Sequence, residues 1–388
     1  MDAPGPLPRR IYEERQEGLL RRLQEPSPVP PEWKGLVAVG RSFFDRPGPV
    51  AYLTGHFPPF PSAEFSDLGR GIGYSLFLMN REGRRLLIAD FHRPDRTAVD
   101  DVRISMDVWG PFMEALRELD MDQGALVLLG SDLFPLLGER LLRAQLPDVV
   151  LVPGDDWLKS MRRKKSPEEV ALLREAARIG EEGLKAALGA IRVGARERDV
   201  AAEGHRQALL AGADFVRYLR VHSGPWSEYT SRWPQATDRI LTEGDPVNLD
   251  IIGAYEGYQF DILRPAVAGK PGPLLQRMRE ALAAIQEALL ALVRPGITVQ
   301  HLFQKAQEVA EAHGFPHHLS SFLGHGIGLE TVEEPLLIRG SREVLQPSMV
   351  LCIEPTLHVP GQGAVSVEDE VWLHEDGAQR LTSLPFLP

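Results

Sequence analysis

The sequence lacks the marks of several classes of protein. It contains one cysteine, Cys352, so an internal disulfide bond is impossible and folding needs no oxidising compartment. No stretch approaches the ~18 uninterrupted apolar residues that a membrane-spanning helix requires, and the N-terminal residues lack the apolar core of a signal peptide. From these absences we expect a cytoplasmic protein that does not enter a membrane.

Positive charge is also in deficit. The formal net charge is −11 at pH 7, which argues against a nucleic-acid partner. One basic cluster, residues 162–165, interrupts this trend, and we interpret it as a solvated junction between domains rather than a phosphate-binding patch. The length of 388 residues predicts two or three domains with ample core.

Residues 1–157 alternate between strand-like and helical patterns, which predicts an α/β domain. Strands are expected at 35–39, 50–53, 74–79, 85–89, 125–130 and 149–152, and helices at 111–119 and 135–145. This domain contains no phosphate loop, nucleophile elbow or metal-ligand cluster. We therefore expect it to shape an entrance or an oligomer interface.

The character of the sequence changes near residue 159. Ser166 precedes a proline and two acidic residues, a pattern that predicts a capped helix start before residues 170–188. Further helices are expected at 197–212, 273–293 and 298–313. Because strands and helices come in runs here, residues 158–388 are predicted to form an α+β domain.

Two acidic residues lie on a predicted hairpin of this second domain. Strand-like segments flank a turn at Glu256-Gly257, so Asp250 faces Leu263 and Asp261 lies two residues from that partner. Both aspartates then lie on one face of the sheet, with backbones ~7–8 Å apart and closer side chains. That gap suits two metal ions about 3.5–4 Å apart.

A second acidic pair follows the same logic. Glu354 and Glu368 lie in strand-like segments equidistant from Gly361, which predicts directly opposite positions unless a bulge shifts the pairing by one. Facing carboxylates in an apolar sheet repel each other unless a cation lies between them. His325 lies in a Gly-His-Gly segment whose glycines allow close backbone approach, and we expect it to be the single nitrogen ligand.

In order and local context, these five residues resemble those of the pita-bread metallopeptidases, which include methionine aminopeptidase, aminopeptidase P and prolidase. The matching segments are Asp250, Asp261, Gly324-His325-Gly326-Ile327-Gly328-Leu329-Glu330, Ile353-Glu354-Pro355 and Val367-Glu368-Asp369. The N-terminal α/β domain and the Lys-Ser-Pro-Glu-Glu entry into the second domain are similar to the aminopeptidase P, prolidase and creatinase branch. The resemblance implies an α+β protein in which a smaller creatinase-like domain, 1–157, precedes a pita-bread catalytic domain, 158–388.

The resemblance also implies a site and a chemistry. Asp261 and Glu368 would bridge two divalent ions. Asp250 would complete the ligands of one ion, and His325 and Glu354 those of the other. A bridging hydroxide would attack the peptide carbonyl, and Glu354 would carry a proton to the leaving amine. Manganese is the expected metal, with cobalt, zinc or iron as alternatives, and a homodimer is expected.

Several positions depart from the family pattern. Val332 and Ser321 stand where Xaa-Pro peptidases usually carry histidines, and Ser366 stands where an arginine is usual. His358 takes the place of a common tyrosine, and the family's histidine before the first aspartate is missing, although His222 lies just upstream. His222 and His358 are therefore further candidates for carbonyl binding or proton transfer.

Three functions are left open by these residues. The first is a metallo-exopeptidase that hydrolyses Xaa-Pro bonds in dipeptides or short peptides. The altered substrate shell also permits a metal-dependent hydrolase or lyase of a small non-peptide amide or amidine. The third is a non-catalytic binding protein on the same fold, against which the five intact candidate ligands argue.

Overall fold

The structure is a computed structural model that describes residues 3–25, 32–44, 46–59, 63–65, 69–229 and 232–386. The chain divides into two compact units: an N-terminal unit, Pro6–Arg162, and a C-terminal unit, Met1–Gly5 together with Arg163–Pro388. The domain boundary expected at residues 157 and 158 lies inside a helix, Asp155–Arg162. Among the described residues, no helix combines the length and apolar character needed to cross a bilayer.

The N-terminal unit is built on a six-stranded mixed sheet. Its elements are α1 (Arg9–Gln24), β1 (Trp33–Arg41), α2 (Gly48–Thr54), β2 (Ala63–Phe65), β3 (Gly69–Ile72), β4 (Tyr74–Asn80), β5 (Arg85–Ala89), β6 (Val102–Ile104), α3 (Trp109–Glu118), β7 (Gly124–Leu129), α4 (Leu136–Gln145), β8 (Val149–Pro153) and α5 (Asp155–Arg162). The strand order is β6-β5-β4-β1-β7-β8, with β1 antiparallel to β4 and parallel to β7. Trp109 and Phe112 of α3 pack into its core.

Residues 50–53 are helical, so the predicted strand there is wrong. They lie in α2, where Pro49 occupies the first turn and Gly55 ends the helix in the left-handed region, with φ 73°. Proline suits the first turn of a helix and glycine suits its end. All seven residues of α2 are buried, so the run has no polar face whose period could distinguish a helix from a strand.

The C-terminal unit packs four long helices against antiparallel sheets. Its elements are α6 (Pro167–Ala190), α7 (Glu197–Ala211), β9 (Phe215–Ser223), a 3-10 helix (Gly224–Glu228), β10 (Asp245–Tyr255), β11 (Tyr258–Ala268), α8 (Pro273–Leu292), α9 (Val299–Ala312), β12 (Phe322–Gly326), β13 (Glu333–Ile338), β14 (Val350–Ile353), β15 (Thr356–Val359), β16 (Gly363–Ser366), β17 (Asp369–His374) and β18 (Gly377–Arg380). The sheets have the orders β11-β10-β9, β13-β12-β14-β17-β18 and β15-β16. The predicted α+β layout is confirmed.

Helix α6 begins with the capping box that the sequence predicted. The Glu169 backbone N–H donates to Ser166 Oγ at 3.2 Å, and the Ser166 N–H donates to Glu169 Oε2 at 2.8 Å. The hydroxyl of Tyr258 donates to the other Glu169 oxygen, Oε1, at 2.8 Å. One glutamate therefore ties the start of α6 to the start of β11.

The interpretation of the basic cluster at 162–165 as a solvated junction is wrong for Arg163 and Lys165, whereas Lys164 is exposed. The Nζ of Lys165 lies 3.1 Å from Glu333 Oε2, with only 2% and 6% of the two side chains exposed. Arg163 forms ion pairs with Glu334 and Glu343. Because opposite charges that pair can be buried, Arg163 and Lys165 are part of the C-terminal unit's own packing.

The hairpin of β10 and β11 has the predicted register. Asp250 pairs with Leu263, and Ile252 pairs with Asp261. The two-residue turn has positive φ at both Glu256 (50°) and Gly257 (79°), which matches the twist of the flanking strands. Alternate residues share a face, so Asp250 and Asp261 lie on the face opposite the apolar residues that contact α6 and α7.

The second predicted hairpin has the expected register, but its ladder of paired residues is interrupted. Ile353 pairs with Asp369, and Thr356 pairs with Ser366, which leaves Glu354 and Glu368 between two ladders of one register. The ladders belong to different sheets because the chain breaks at Pro355, which has no N–H to donate to a ladder. The strand-like segment expected at 348–354 contains β14 without a break, whereas the one expected at 364–370 is interrupted at residues 367 and 368, so the prediction of a continuous second strand is wrong.

Candidate metal centre

Five segments carry the five predicted ligands to one place. Strands β10 and β11 supply Asp250 and Asp261, and β12 supplies His325. Glu354 follows β14, and Glu368 precedes β17. The backbone N–H of Glu368 donates to the Leu263 carbonyl at 3.0 Å, so a direct backbone bridge joins the end of the second acidic segment to the hairpin of the first.

His325 lies at the centre of this group. Its Nε2 is 3.1 Å from Glu354 Oε1 and 3.7 Å from both Asp261 Oδ2 and Glu368 Oε1. Its other ring nitrogen, Nδ1, is 2.9 Å from the Gly326 carbonyl oxygen. A proton on Nδ1 donates to that carbonyl and leaves the Nε2 lone pair directed at the carboxylates, which is the form that binds metals.

A glycine makes the position of His325 possible. A Cβ on Gly324 would lie 1.9 Å from the backbone oxygen of Cys352 on β14. The φ of Gly324 is 140°, a region that other residues rarely adopt. The close approach of β12 to β14 therefore depends on the glycine immediately before the histidine.

The carboxylates are buried and incompletely paired. Asp250, Asp261 and Glu368 are 6%, 5% and 1% exposed. One oxygen of each, Asp250 Oδ1, Asp261 Oδ1 and Glu368 Oε1, has no hydrogen-bond partner among the described residues. Buried carboxylate oxygens normally have a donor or a cation, so these three atoms and the lone pair of His325 fit divalent metal ions.

The electrostatics of the group lead to the same conclusion. Burial, reinforced by the negative charge of Glu368, raises the pKa of Asp261 well above its usual range. Burial also raises the pKa of Glu368 well above its usual range, reinforced by Glu354 and Asp250. The pKa of Asp250 is raised by burial as well, although Arg220 opposes that shift. A bound cation would restore the charged form of all three carboxylates.

Cys352 also lies in this cluster. Potential ligand atoms of Asp261, His325, Cys352 and Glu368 all lie within 4.8 Å of one another. Burial raises the pKa of the Cys352 thiol well above its usual range, with Glu368 and Asp261 adding to the shift. The sulfur therefore stays protonated beside the acids, and the carboxylates and the imidazole are the stronger ligands.

Arg220 is a site residue that sequence reasoning missed. It pairs with Asp250 across β9 and β10, and its guanidinium donates to Asp250 Oδ2 at 2.7 Å. Its position two residues before His222 is a weak signal that both side chains share the ligand-bearing face. The pairing of β9 with β10 was not predicted, so the partner of Arg220 could not be identified from the sequence.

A buried polar network supports the backbone behind Glu368. Arg264 donates to the Glu368 carbonyl at 2.6 Å and to Asp369 Oδ1 at 2.6 Å. Glu370 accepts a hydrogen bond from the Asp261 backbone N–H at 3.0 Å. Burial raises the pKa of Glu370 to about 8, so this side chain is largely protonated at neutral pH. These residues fix the backbones that carry Asp261 and Glu368.

The other candidates have contacts outside the cluster. His222 Nδ1 lies 2.8 Å from the Tyr229 carbonyl, and burial lowers the pKa of His222 to about 4, so its ring is neutral at pH 7. His358 Nε2 lies 3.4 Å from Glu228 Oε2 on a more exposed part of the chain. Ser366 is buried, with its Oγ 2.8 Å from Thr356 Oγ1, whereas Val332 is 53% exposed.

Known proteins with similar sequences are peptidases by name. A Xaa-Pro dipeptidase of Pyrococcus furiosus is 33% identical over 230 residues, which are 59% of this chain and 65% of that protein. A probable dipeptidase PepE of Mycobacterium tuberculosis is 32% identical over 238 residues, 61% of this chain and 63% of that protein. The chain thus spans just under two thirds of the length of these relatives.

Solved structures resemble nearly the whole chain. An X-Pro aminopeptidase from Thermotoga maritima gives a TM-score of 0.80 at 24% identity, covering 95% of this chain and 98% of that one. A dipeptidase PepE from Mycobacterium ulcerans gives 0.80 at 26% identity, covering 98% of each chain. These likenesses confirm the expected pita-bread fold. The sequence profile of metallopeptidase family M24 matches residues 171–375, which is more than half of the chain, and the protein therefore belongs to that family.

Proposed function

We propose that this protein is a metal-dependent exopeptidase that hydrolyses Xaa-Pro bonds in dipeptides or short peptides. The observation that carries the proposal is the buried group of carboxylates around His325, with three oxygens that lack a partner among the described residues. The names of the relatives, Xaa-Pro dipeptidase and probable dipeptidase, support the choice of substrate.

Five side chains would hold the metal in this proposal. Asp261 and Glu368 would bridge two divalent ions, with Asp250 on one side and His325 and Glu354 on the other. The carboxylate-rich donor set favours manganese, with cobalt, zinc or iron as alternatives. When bound, such ions polarise a carbonyl and lower the pKa of water, which is the chemistry that peptide hydrolysis needs.

Glu354 is the proposed proton carrier. Its side chain is 23% exposed, more than those of Asp250, Asp261 or Glu368, so a substrate and water can reach it. Its Oε1 lies 3.1 Å from His325 Nε2, which keeps it at the centre of the cluster. A carboxylate in this place can accept a proton from water and deliver it to the leaving amine.

The substitution Glu354→Gln tests the proposal because it keeps the size of the side chain and removes its charge. Hydrolysis of Xaa-Pro dipeptides by manganese-loaded protein should fall by at least ~100-fold, as expected for the loss of a general acid/base group. Glu375→Gln, an exposed carboxylate at the turn between β17 and β18, is the matched control and should keep full activity. Near-normal turnover of Glu354→Gln would assign the proton to another group.

A substrate panel tests the specificity separately. The panel contains Xaa-Pro dipeptides, Xaa-Pro tripeptides, Xaa-Ala controls, small non-peptide amides and amidines such as creatine, each assayed with added Mn²⁺ and Co²⁺. Cleavage confined to the small amides or amidines would favour the non-peptide hydrolase instead. That alternative is kept because Ser366, where an arginine is usual, is buried and bonded to Thr356.

We also propose a cytoplasmic homodimer. The single cysteine, Cys352, is buried and unpaired, so the fold requires no oxidising compartment. Large apolar side chains such as Ile104, Met106 and Leu136 are exposed on the N-terminal unit, and a second copy could cover them. Light scattering at micromolar concentration tests the proposal, and a monomer would contradict it.

A further inference from the structure

Arg220 places a permanent positive charge on one proposed metal ligand. Its guanidinium donates to Asp250 Oδ2 at 2.7 Å, and the two side chains are only 20% and 8% exposed. The contact follows from the register, since Arg220 of β9 pairs directly with Asp250 of β10. Arginine keeps its charge at every pH at which the protein is folded.

The guanidinium is held in place from its other side as well. It donates to the hydroxyl of Tyr218, and its central carbon lies 4.4 Å from the centre of the Tyr218 ring. Tyr218 precedes Arg220 by two residues and pairs with Ile252, so both side chains lie on the face that carries Asp250. Arg220 therefore lies beside the proposed metal ligands, on the same face of the sheet as Asp250.

The positive charge is distributed unevenly over the five proposed ligands. In the part of the chain that the structure describes, Asp261, Glu354 and Glu368 lie near the Nε2 lone pair of His325, whose ring is neutral in its metal-binding form, and the guanidinium contacts Asp250. A cation bound to Asp250 Oδ1 would share this carboxylate with the guanidinium of Arg220, which is bonded to the other oxygen, Oδ2. Two positive charges on one carboxylate repel each other strongly where burial reduces solvent screening.

We propose that Arg220 weakens the binding of the divalent ion held by Asp250. The inference rests on the proposed two-ion centre. Arg220 acts through Asp250 and is a positioning residue rather than a catalytic one.

Calorimetric titration of the metal-free, full-length protein with MnCl2 tests this inference without any substrate. The wild type should bind two ions with different Kd values. Arg220→Met should tighten the weaker Kd by about tenfold, which is opposite in direction to the loss of affinity that usually follows removal of a metal ligand's hydrogen-bond partner. Arg220→Lys keeps the charge and should stay within about threefold of the wild type, as should Arg174→Met, an exposed arginine of α6 bonded to Gln379.

Arg220→Gln provides a second charge-removing variant that can still donate a hydrogen bond to Asp250, in case the methionine variant does not fold. The inference is overturned if the weaker of the two sites binds Mn²⁺ no more tightly in Arg220→Met and Arg220→Gln than in the wild type. It is also overturned if Arg220→Lys behaves like these two neutral variants. Those outcomes leave the two-ion centre intact if the wild type binds two ions. A wild type that binds no Mn²⁺ overturns both the inference and the proposed metal centre.

Discussion

Replacing Arg264 by methionine should show how much stability the network behind Glu368 supplies. Arg264 is 1% exposed, and its guanidinium donates to Asp369 Oδ1, to the Glu368 carbonyl and to the Leu263 carbonyl at 2.6, 2.6 and 2.9 Å. Methionine fills much of the same space but donates nothing. Asp369, 2% exposed, would lose its nearest counter-charge.

The size of the effect follows from burial. Removing one partner of a buried ion pair costs about 3–5 kcal/mol, because the other charge stays desolvated. Gln286 and Thr382 still donate to Asp369 at 2.9 and 2.7 Å, which argues against a larger loss. We expect a loss of about 4 kcal/mol, which corresponds to ~8–16 °C in Tm for a unit of this size.

Thermal and urea unfolding of metal-free protein at pH 7 measure this loss. Arg380→Met is the matched control, because Arg380 lies 3.8 Å from the same Asp369 oxygen but is 37% exposed. Such an exposed pair contributes about 0–1 kcal/mol. The double variant Arg264→Met/Asp369→Asn should lose less stability than the sum of the losses of the two single variants, because both substitutions break the same ion pair. A loss below ~1 kcal/mol for Arg264→Met would refute the reasoning.

Three further outcomes are expected. Burial lowers the pKa of His222 to about 4, so below about pH 6.5 the unfolded chain binds a proton at this residue while the folded protein does not. The free energy of unfolding of the wild type should therefore fall by about 2–3 kcal/mol more between pH 7 and 4.5 than that of His222→Gln, as measured by urea unfolding. Gly324→Ala should lower both Tm and manganese affinity, because its Cβ meets the Cys352 backbone oxygen at 1.9 Å, whereas Gly189→Ala, with open space around it, should do neither. Mn²⁺ at 100 times its Kd should add about 2.7 kcal/mol to the free energy of unfolding per site, and an unchanged Tm would contradict binding to the folded state.

The sequence predicted the parts of the centre that depend on local rules. A two-residue turn fixes the register of the β10–β11 hairpin, so the pairing of Asp250 with Leu263 followed from the position of Glu256-Gly257 alone. Pairing symmetric about Gly361 likewise placed Glu354 and Glu368 between matched ladders.

The parts that failed depend on contacts between distant segments. Arg220 gained its role from the pairing of β9 with β10, which no turn specifies because a long connection separates the strands. Lys165 became a buried ion-pair partner because Glu333 reaches it from a distant segment. The helix over 50–53 was missed because a fully buried run carries no period that distinguishes the two structures.

The contacts of residues 163–166 bear on where the C-terminal unit can be cut from the chain. The first helix of that unit starts at Pro167, and a boundary chosen by secondary structure would fall there. Such a cut would remove the N-cap of α6 and leave Glu333 buried without Lys165. The shortest segment that keeps these interactions together with the ion pairs of Arg163 with Glu334 and Glu343 begins at Arg163, so this short stretch before the helix belongs to the unit and does not serve as a linker.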